Sequence, residues 1–430
     1  MKKDNMLTDL GKEYKIENVE NKKIKGKTYK IIYIKILTKK VRCPLCNKFT
    51  NKVHDTLKPI KIKYLKLAEY NTYVVVRKRR FTCHECKKTF TENIDLNNKN
   101  KSISNKLEQK VLKDLLTVRS IKDIAQDNDI PDTTVRRILK NGMSDYPKYL
   151  RLLPSVISFD EFKADTNKGK YAFIVNDLLH KKTLDILSSR KKDDLINYFT
   201  QVENRSSVQY VVSDMYEPYL LVTTTMFPKA KYVVDRFHYT TYVMDALDDI
   251  RIRLQKEYGY NSKQYRLLKN KKNVTLLRKY YNDIDNWYTY TKRYKNGKIV
   301  EVLKIDILHE MLSLNDDLKR GYELKELFLD IAHHSTYENA KEQLLSWIEL
   351  CLESKIEEMI KAAKTILNWL EYIVNSFIDE RFSNGYTEGL NNKIKVIKRN
   401  GYGFKDFEFF RLRIMYILNG KIHGNIKKKV

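Results

Sequence analysis

No run of about 18 consecutive apolar residues occurs in the 430-residue chain, so no segment has the length and polarity of a membrane-spanning helix. The opening residues MKKDNMLTDLGKEYK also lack the apolar centre of a signal peptide, and a soluble, cytoplasmic protein is expected. Acid is scarce relative to base: Asp plus Glu number 54 against 83 for Lys plus Arg, a formal charge of +29. Solubility alone needs far less charge than this. The excess points to a polyanionic partner, and with no membrane-directed segment that partner is expected to be nucleic acid. Cysteine is sparse too, with five residues, and four of them form two tight pairs. There is no internal repeat, and low complexity is confined to Lys/Asn-rich linkers. The length allows two or three domains with sizeable cores.

The paired cysteines are Cys43-Pro-Leu-Cys46 and Cys83-His-Glu-Cys86, while Cys351 sits alone in a helical apolar context as a core thiol. Strand-like segments precede and separate the pairs: Tyr29 to Leu37, Ile60 to Leu67 and Thr72 to Phe81. In a reducing compartment, two such knuckles at strand ends bring four thiolates together around one structural Zn²⁺. A redox pair is disfavoured because the βαβ context it needs is missing. His54 and His84 are available as substitute ligands and read more simply as surface residues. Arg77, Lys78, Arg79 and Arg80 form a basic patch beside the site, suited to phosphate contacts.

Beyond the polar linker Asp95 to Ser102, residues Asn105 to Arg119 read as a helix. Ser120 caps a second, IKDIAQDN, and after Asp129-Ile-Pro131 comes a third, TTVRRILKN. Ile121, Ile124, Ala125, Ile130, Val135, Ile138 and Leu139 supply a trihelical interior. Thr133, Thr134, Arg136, Arg137 and Lys140 are left outside. This is a helix-turn-helix pattern, and Arg136, Arg137 and Lys140 are its expected DNA contacts.

From Pro154 the texture becomes α/β. Strands are expected at Val156 to Phe162, Tyr171 to Asp177 and Thr183 to Ser189. A helix follows at Asp193 to Gln201, then a strand from Gln209 to Ser213 ending at Asp214. A helix at Pro218 to Met226 leads to a last strand, Lys231 to Val234, ending in Asp235-Arg-Phe-His238. That order is the ribonuclease-H-like mixed sheet, in which an acid of the first strand lies beside one at the end of the fourth: Asp160 and Asp214. Alternation sends Asp160 and Glu161 to opposite faces, so only one of them is expected to meet Asp214. From Tyr239 to about Ile378 the pattern is almost wholly helical, and Trp287, Trp347 and Trp369 read as core. A last helix runs from about Tyr386. On one side it carries Glu388, Asn392, Lys395 and Arg399, and on the other Leu390, Ile394 and Ile397. A lone acid among cations is ordinarily a solvated salt-bridge partner. The two aspartates earlier in the chain give it a second meaning.

The blocks SFDEF, VVSDMYEPY, FPKAKYVVDRFH and RFSNGYTEGLNNKIKVIKRNGYGFKDFEFFRLRI closely resemble transposases of bacterial insertion sequences of the ISL-three family. The segments CPLC and RKRRFTCHECKKTFTE resemble that family's zinc-binding region, and SIKDIAQDNDIPDTTVRRIL its helix-turn-helix. The resemblance covers most of the chain from about Arg42, with the second knuckle shorter than the family's usual form. It implies a DDE triad on Asp160, Asp214 and Glu388 holding two Mg²⁺ (or Mn²⁺), the ions that clamp the attacking and leaving oxygens of phosphodiester cleavage and strand transfer. It also implies double-stranded DNA as partner, at transposon ends and target, and a homodimer on that DNA. Asn392, Lys395 and Arg399 become a DNA-contacting strip beside Glu388. Asp235 and His238 match a secondary Asp-x-x-His element of open role. The domains expected are a zinc ribbon (1–95), a helix-turn-helix (96–150), a ribonuclease-H-like core (151–238), an all-helical insertion (239–380) and the last core helix with the C-terminal segment (381–430). The rival readings are a non-catalytic DNA-binding regulator descended from a transposase and a structure-specific nuclease on the same fold.

Overall fold

The computed structural model describes residues 10–24, 26–98, 101–283, 290–295, 297–382, 385–401 and 406–420, with the side chains of 283, 293–295, 387 and 388 outside that description. Two compact units result: Met1–Tyr146 with Ile394–Val430, and Pro147–Lys393. Among the described residues no helix is long and apolar enough to cross a membrane.

The first unit opens with a four-stranded sheet. Strand β1 (Tyr14–Ile24) pairs antiparallel with β2 (Lys27–Ile36), β2 runs parallel to β4 (Tyr70–Val76), and β3 (Ile60–Leu67) closes the far edge. Ile32, Ile34, Ile62, Tyr64, Val74 and Val76 line its buried face, together with Leu10 and Tyr14. Strand β1 was not expected: YKIENVENKKI is too polar to read as a strand, and it survives as an edge. The segment read as one strand from Thr72 to Phe81 is two, because Arg79–Thr82 leaves the sheet to pair with Val53–Thr56 and Thr89–Thr91.

Three helices follow: α1 (Asn105–Asp114), α2 (Ile121–Asn128) and α3 (Asp132–Gly142). Ser104 and Ser120 cap the first two by accepting from the N–H groups of Leu107 and Asp123. The expected interior residues Ile121, Ile124, Ala125, Val135, Ile138 and Leu139 are buried. Helix α1 stops at Asp114, earlier than Arg119. The carbonyls beyond it are taken by a side chain from far away in sequence. Arg413, only 2% exposed, donates to the carbonyls of Leu115, of Thr117 (2.8 Å) and of Arg119 (3.1 Å). It stands on the last helix, Phe407–Asn419, whose Tyr416 hydroxyl also donates to the Leu112 carbonyl (3.1 Å). Residues 381–430 were expected to close the α/β core; from Ile394 onward they belong to this first unit.

The second unit is built on a five-stranded mixed sheet of β5 (Val156–Thr166), β6 (Gly169–Asp177), β7 (Lys182–Leu187), β8 (Tyr210–Ser213) and β9 (Lys231–Val234). Their order is β7-β6-β5-β8-β9, with β5, β6 and β7 antiparallel and β8 and β9 parallel to β5. Helices α4 (Lys192–Phe199) and α5 (Glu217–Met226) complete the α/β layer around an aromatic cluster of Phe159, Phe173, Phe199, Tyr219 and Phe227. Beyond β9 the chain is mainly helical, from α6 (Arg236–Glu257) through α7 (Asp316–His334), α8 (Ala340–Glu353) and α9 (Glu357–Asn368). Trp347 is buried there against Phe328, Trp369 is half-buried, and Trp287 lies outside the described residues. The region is not all-helical as expected: Tyr290–Lys295 and Lys298–Leu303 form a β-hairpin, whose turn uses Gly297 at φ +79°. Helix α10 (Gly385–Asn400) starts within a residue of its expected position.

Candidate functional site

Two hairpin turns of matching geometry carry the cysteine pairs, one between Val41–Arg42 and Phe49–Thr50, the other between Arg79–Thr82 and Thr89–Thr91. In each turn the first cysteine's N–H bonds five residues on, Cys43 to the Lys48 carbonyl (2.8 Å) and Cys83 to the Lys88 carbonyl (2.9 Å). The residue after each second cysteine, Asn47 or Lys87, takes a left-handed φ of 62° or 57°. These bends turn the thiols inward. Cys43 Sγ lies 3.7 Å from Cys86 Sγ, Cys46 Sγ lies 3.4 Å from Cys83 Sγ, and all four sulfurs fall within 4.8 Å of one another. Four thiolates about 2.3 Å from a tetrahedral zinc ion stand about 3.8 Å apart, so the set fits structural Zn²⁺. The backbone N–H of Cys86 holds the Cys83 thiol down to about 7. The N–H of Lys48 pulls Cys46 down, but its contact with Cys83 and burial together drive it up to about 11. His54 and His84 are exposed and outside the cluster. In the adjoining basic patch, Arg79 is committed to Glu92 (2.7 Å) and Arg80 to Asp55, while Arg77 is exposed.

The carboxylates gather at one end of the mixed sheet. Asp160 lies in β5 two residues beyond its parallel pairing with β8, Asp214 directly follows β8, and Asp235 directly follows β9. Asp160 Oδ1 accepts from the Glu161 N–H (2.6 Å). Asp214 accepts from the Ser213 hydroxyl (3.1 Å), which also donates to the Phe159 carbonyl. Burial, opposed by the Glu161 N–H and reinforced by the charge of Asp214, lifts Asp160 to about 6. Asp235, 1% exposed, caps α6 through the Phe237 N–H (3.3 Å), and His238 Nε2 stands 3.8 Å from its Oδ2. The imidazole of His238 is close enough to pull Asp160 downward.

Glu161 was expected to turn away from Asp214. It is engaged elsewhere, by the Arg190 guanidinium and by the Tyr219 hydroxyl (2.7 Å), yet it still feels the charge of Asp214 and is raised, chiefly by burial. Alternation separates faces within a sheet; Asp214 lies just past the end of β8, where that separation lapses.

On α10 the expected two-faced pattern is present: Leu390, Ile394 and Ile397 are buried, while Asn392, Lys395 and Arg399 are exposed. Glu388 lies in this helix, with its side chain outside the described residues. A residue not singled out from the sequence makes the link to the sheet: the Asn391 side-chain amide donates to Asp160 Oδ2 at 2.8 Å. Its position three after Glu388, on the same helical face, was the available signal. Arg136, Arg137 and Lys140 are exposed on α3, with Lys140 3.6 Å from Asp406. Among the described residues the four cysteines are the one close group of three or more metal-capable side chains.

The profile of a DDE transposase family of the ISL3 type matches residues 157–414, and that of the zinc-finger of transposases IS204, IS1001, IS1096 and IS1165 matches residues 39–86. The transposase for insertion sequence element IS1001 of Bordetella parapertussis is 24% identical over 408 residues, 93% of this chain and 94% of that protein. A protein of Lactococcus lactis subsp. lactis described as an ATP-dependent protease is 31% identical over 134 residues, 31% of this chain and 40% of that protein.

Proposed function

Because the chain belongs to the ISL3 (ISL-three) family of transposases, we propose that it binds the ends of an insertion sequence and carries out metal-dependent strand cleavage and strand transfer with Asp160, Asp214 and Glu388. The observation that carries this reading is the placement of Asp160 in, and Asp214 directly after, neighbouring parallel-paired strands, with Asp160 tied through Asn391 to the helix that bears Glu388. The order β7-β6-β5-β8-β9, with three antiparallel strands followed by two parallel ones, supports a ribonuclease-H-like core. The capped α2, the turn at Asp129 and the exposed basic side of α3 support a helix-turn-helix.

Asp160 and Asp214 offer hard oxygen donors whose mutual repulsion and burial favour a bound cation, so the donor set fits Mg²⁺ or Mn²⁺. Such ions, when bound, activate the attacking oxygen and stabilise the leaving one in an in-line displacement. The protein's own part is to hold these carboxylates in fixed orientation and to present Asn392, Lys395 and Arg399 to the DNA backbone along the same helix. The charge of +29 supplies the non-specific attraction to duplex DNA. Assembly as a homodimer on two ends, with zinc bracing the N-terminal ribbon, completes the proposed arrangement. The test is incubation of the purified chain with a labelled duplex of the element's end in Mg²⁺ or Mn²⁺. Nicking at the element boundary is expected; sequence-specific binding without cleavage under any metal would favour a DNA-binding regulator instead.

A further inference from the structure

Both oxygens of Asp160 have fixed donors. Oδ1 takes the Glu161 N–H at 2.6 Å and Oδ2 takes the Asn391 amide at 2.8 Å. Two donors on two oxygens set the plane of the carboxylate and leave its remaining lone pairs pointing where a cation can take them. The orientation of the Asn391 amide is dictated by chemistry. Turned over, it would face a carboxylate oxygen with its own carbonyl oxygen, acceptor against acceptor. The consequence is that Asn391 Oδ1 is buried with no donor among the described residues. Buried acceptors are rarely left so, because each forfeits the hydrogen bonds it had in water. A side chain that merely stitched α10 to the sheet would gain nothing from this arrangement.

Resting on the reading of Asp160 as a metal-holding carboxylate, we propose that Asn391 is a positioning residue of the active site, its amide aiming Asp160 and its carbonyl oxygen receiving a hydrogen bond from a water carried by the bound divalent cation. Outer partners of this kind orient a ligand and complete the hydration of the ion, and their loss weakens metal binding by about ten- to a hundredfold. Asn391 touches no reacting atom; it acts through Asp160.

The experiment uses the full-length, zinc-loaded chain with Asn391→Ala, the near-isosteric Asn391→Leu, and Asn391→Gln, which keeps the amide one methylene further out. Mn²⁺ binding is measured directly by electron paramagnetic resonance, beside the metal-ion dependence of end cleavage, a DNA-binding titration and a thermal melt. Ala and Leu are expected to weaken Mn²⁺ binding by about ten- to a hundredfold and to raise the metal concentration for half-maximal cleavage in parallel. Saturating metal should restore most of the rate, Gln should recover part of the affinity, and DNA affinity should not change. Wild-type Mn²⁺ affinity in either folded variant overturns the proposal, as does loss of fold in all three, which would make Asn391 a stability residue. Wild-type protein that binds Mn²⁺ no better than Asp160→Asn overturns the underlying metal reading instead.

Discussion

Arg136 lies over Phe409, its guanidinium carbon 4.5 Å from the ring centroid, so a residue of α3 expected to reach DNA rests on the helix Phe407–Asn419. Lys140 stands near Asp406 at the start of the same helix. Arg137 is exposed and, among the described residues, makes neither kind of contact. Arg137→Ala is therefore expected to weaken end binding more than Arg136→Ala. A base-edge contact should cost about 1–3 kcal/mol and relax specificity, whereas a phosphate contact should weaken all sequences alike and flatten the salt dependence. Titrations across a salt series read this, and no loss from Arg137→Ala would mean that α3 does not face the DNA.

Each of Asp160→Asn, Asp214→Asn and Glu388→Gln keeps shape while removing charge. Cleavage and joining in Mg²⁺ should be abolished in all three, with end-DNA affinity intact or slightly raised because an acid near phosphates repels them. Glu161→Gln should retain chemistry but lose stability, since Glu161 is engaged by Arg190 and Tyr219. A labelled-end cleavage assay run with a binding titration checks this, and an active triad variant removes that residue from the site.

Burial raises Asp160 to about 6 in the metal-free protein, above its ordinary value of 3.8. A folded-state value above the unfolded one means that ionising the group opposes folding. The penalty is absent below about pH 4, grows between pH 4 and 6, and is complete at pH 7, where it reaches about 3 kcal/mol at most. Asp160→Asn should thus stabilise the metal-free protein at pH 7 and lose that advantage as the pH falls towards 4. Urea denaturation in chelator at the two pH values measures it; an advantage that does not change with pH would refute the electrostatic cause.

Cys83→Ser, or a strong chelator, should release one equivalent of zinc and unfold the ribbon, because so small a unit draws its folding energy from the metal. Cys351→Ser should leave the zinc content untouched, since Cys351 is buried far from the cluster in sequence and is pushed up to about 12 by burial. Metal analysis and circular dichroism report both outcomes. A stable metal-free ribbon would contradict the assignment.

Arg413→Ala should destabilise the first unit by about 3 kcal/mol, because three backbone carbonyls lose their donor at once. Arg413→Lys should rescue little, as a single ammonium cannot reproduce the planar fork that serves Leu115, Thr117 and Arg119 together. Denaturant unfolding gives the magnitude, and a neutral Arg413→Ala would show that water replaces the fork.

Local pattern sufficed wherever burial and period coincide. The alternation of VISFDEF and YAFIVND located β5 and β6, the caps Ser104 and Ser120 located α1 and α2, and the 3.6-residue stripe Leu390, Ile394 and Ile397 located α10. The spacing of the C-x-x-C pairs named four metal ligands because the ligand set is itself local, needing only two turns to meet. Partnership at long range was another matter. Helical period places both Asn391 and Asn392 on the side of Glu388 without choosing between them, and only the approach of α10 to β5 assigns one to Asp160 and the other to solvent. Arg413 reads as one more cation in a basic chain, and only the docking of its helix on α3 turns it into a buried cap for carbonyls almost 300 positions earlier. Arg79 and Arg80 likewise read as free charges until the small sheets bring Glu92 and Asp55 to them. By itself, the sequence determined the apolar stripes of the strongly periodic elements, where most of those elements begin and the four cysteines that gather, since those depend on neighbours a few positions away. Which polar group faces which was decided by tertiary structure alone, because a hydrogen bond is directional and short-ranged and its partner is chosen by how distant elements pack.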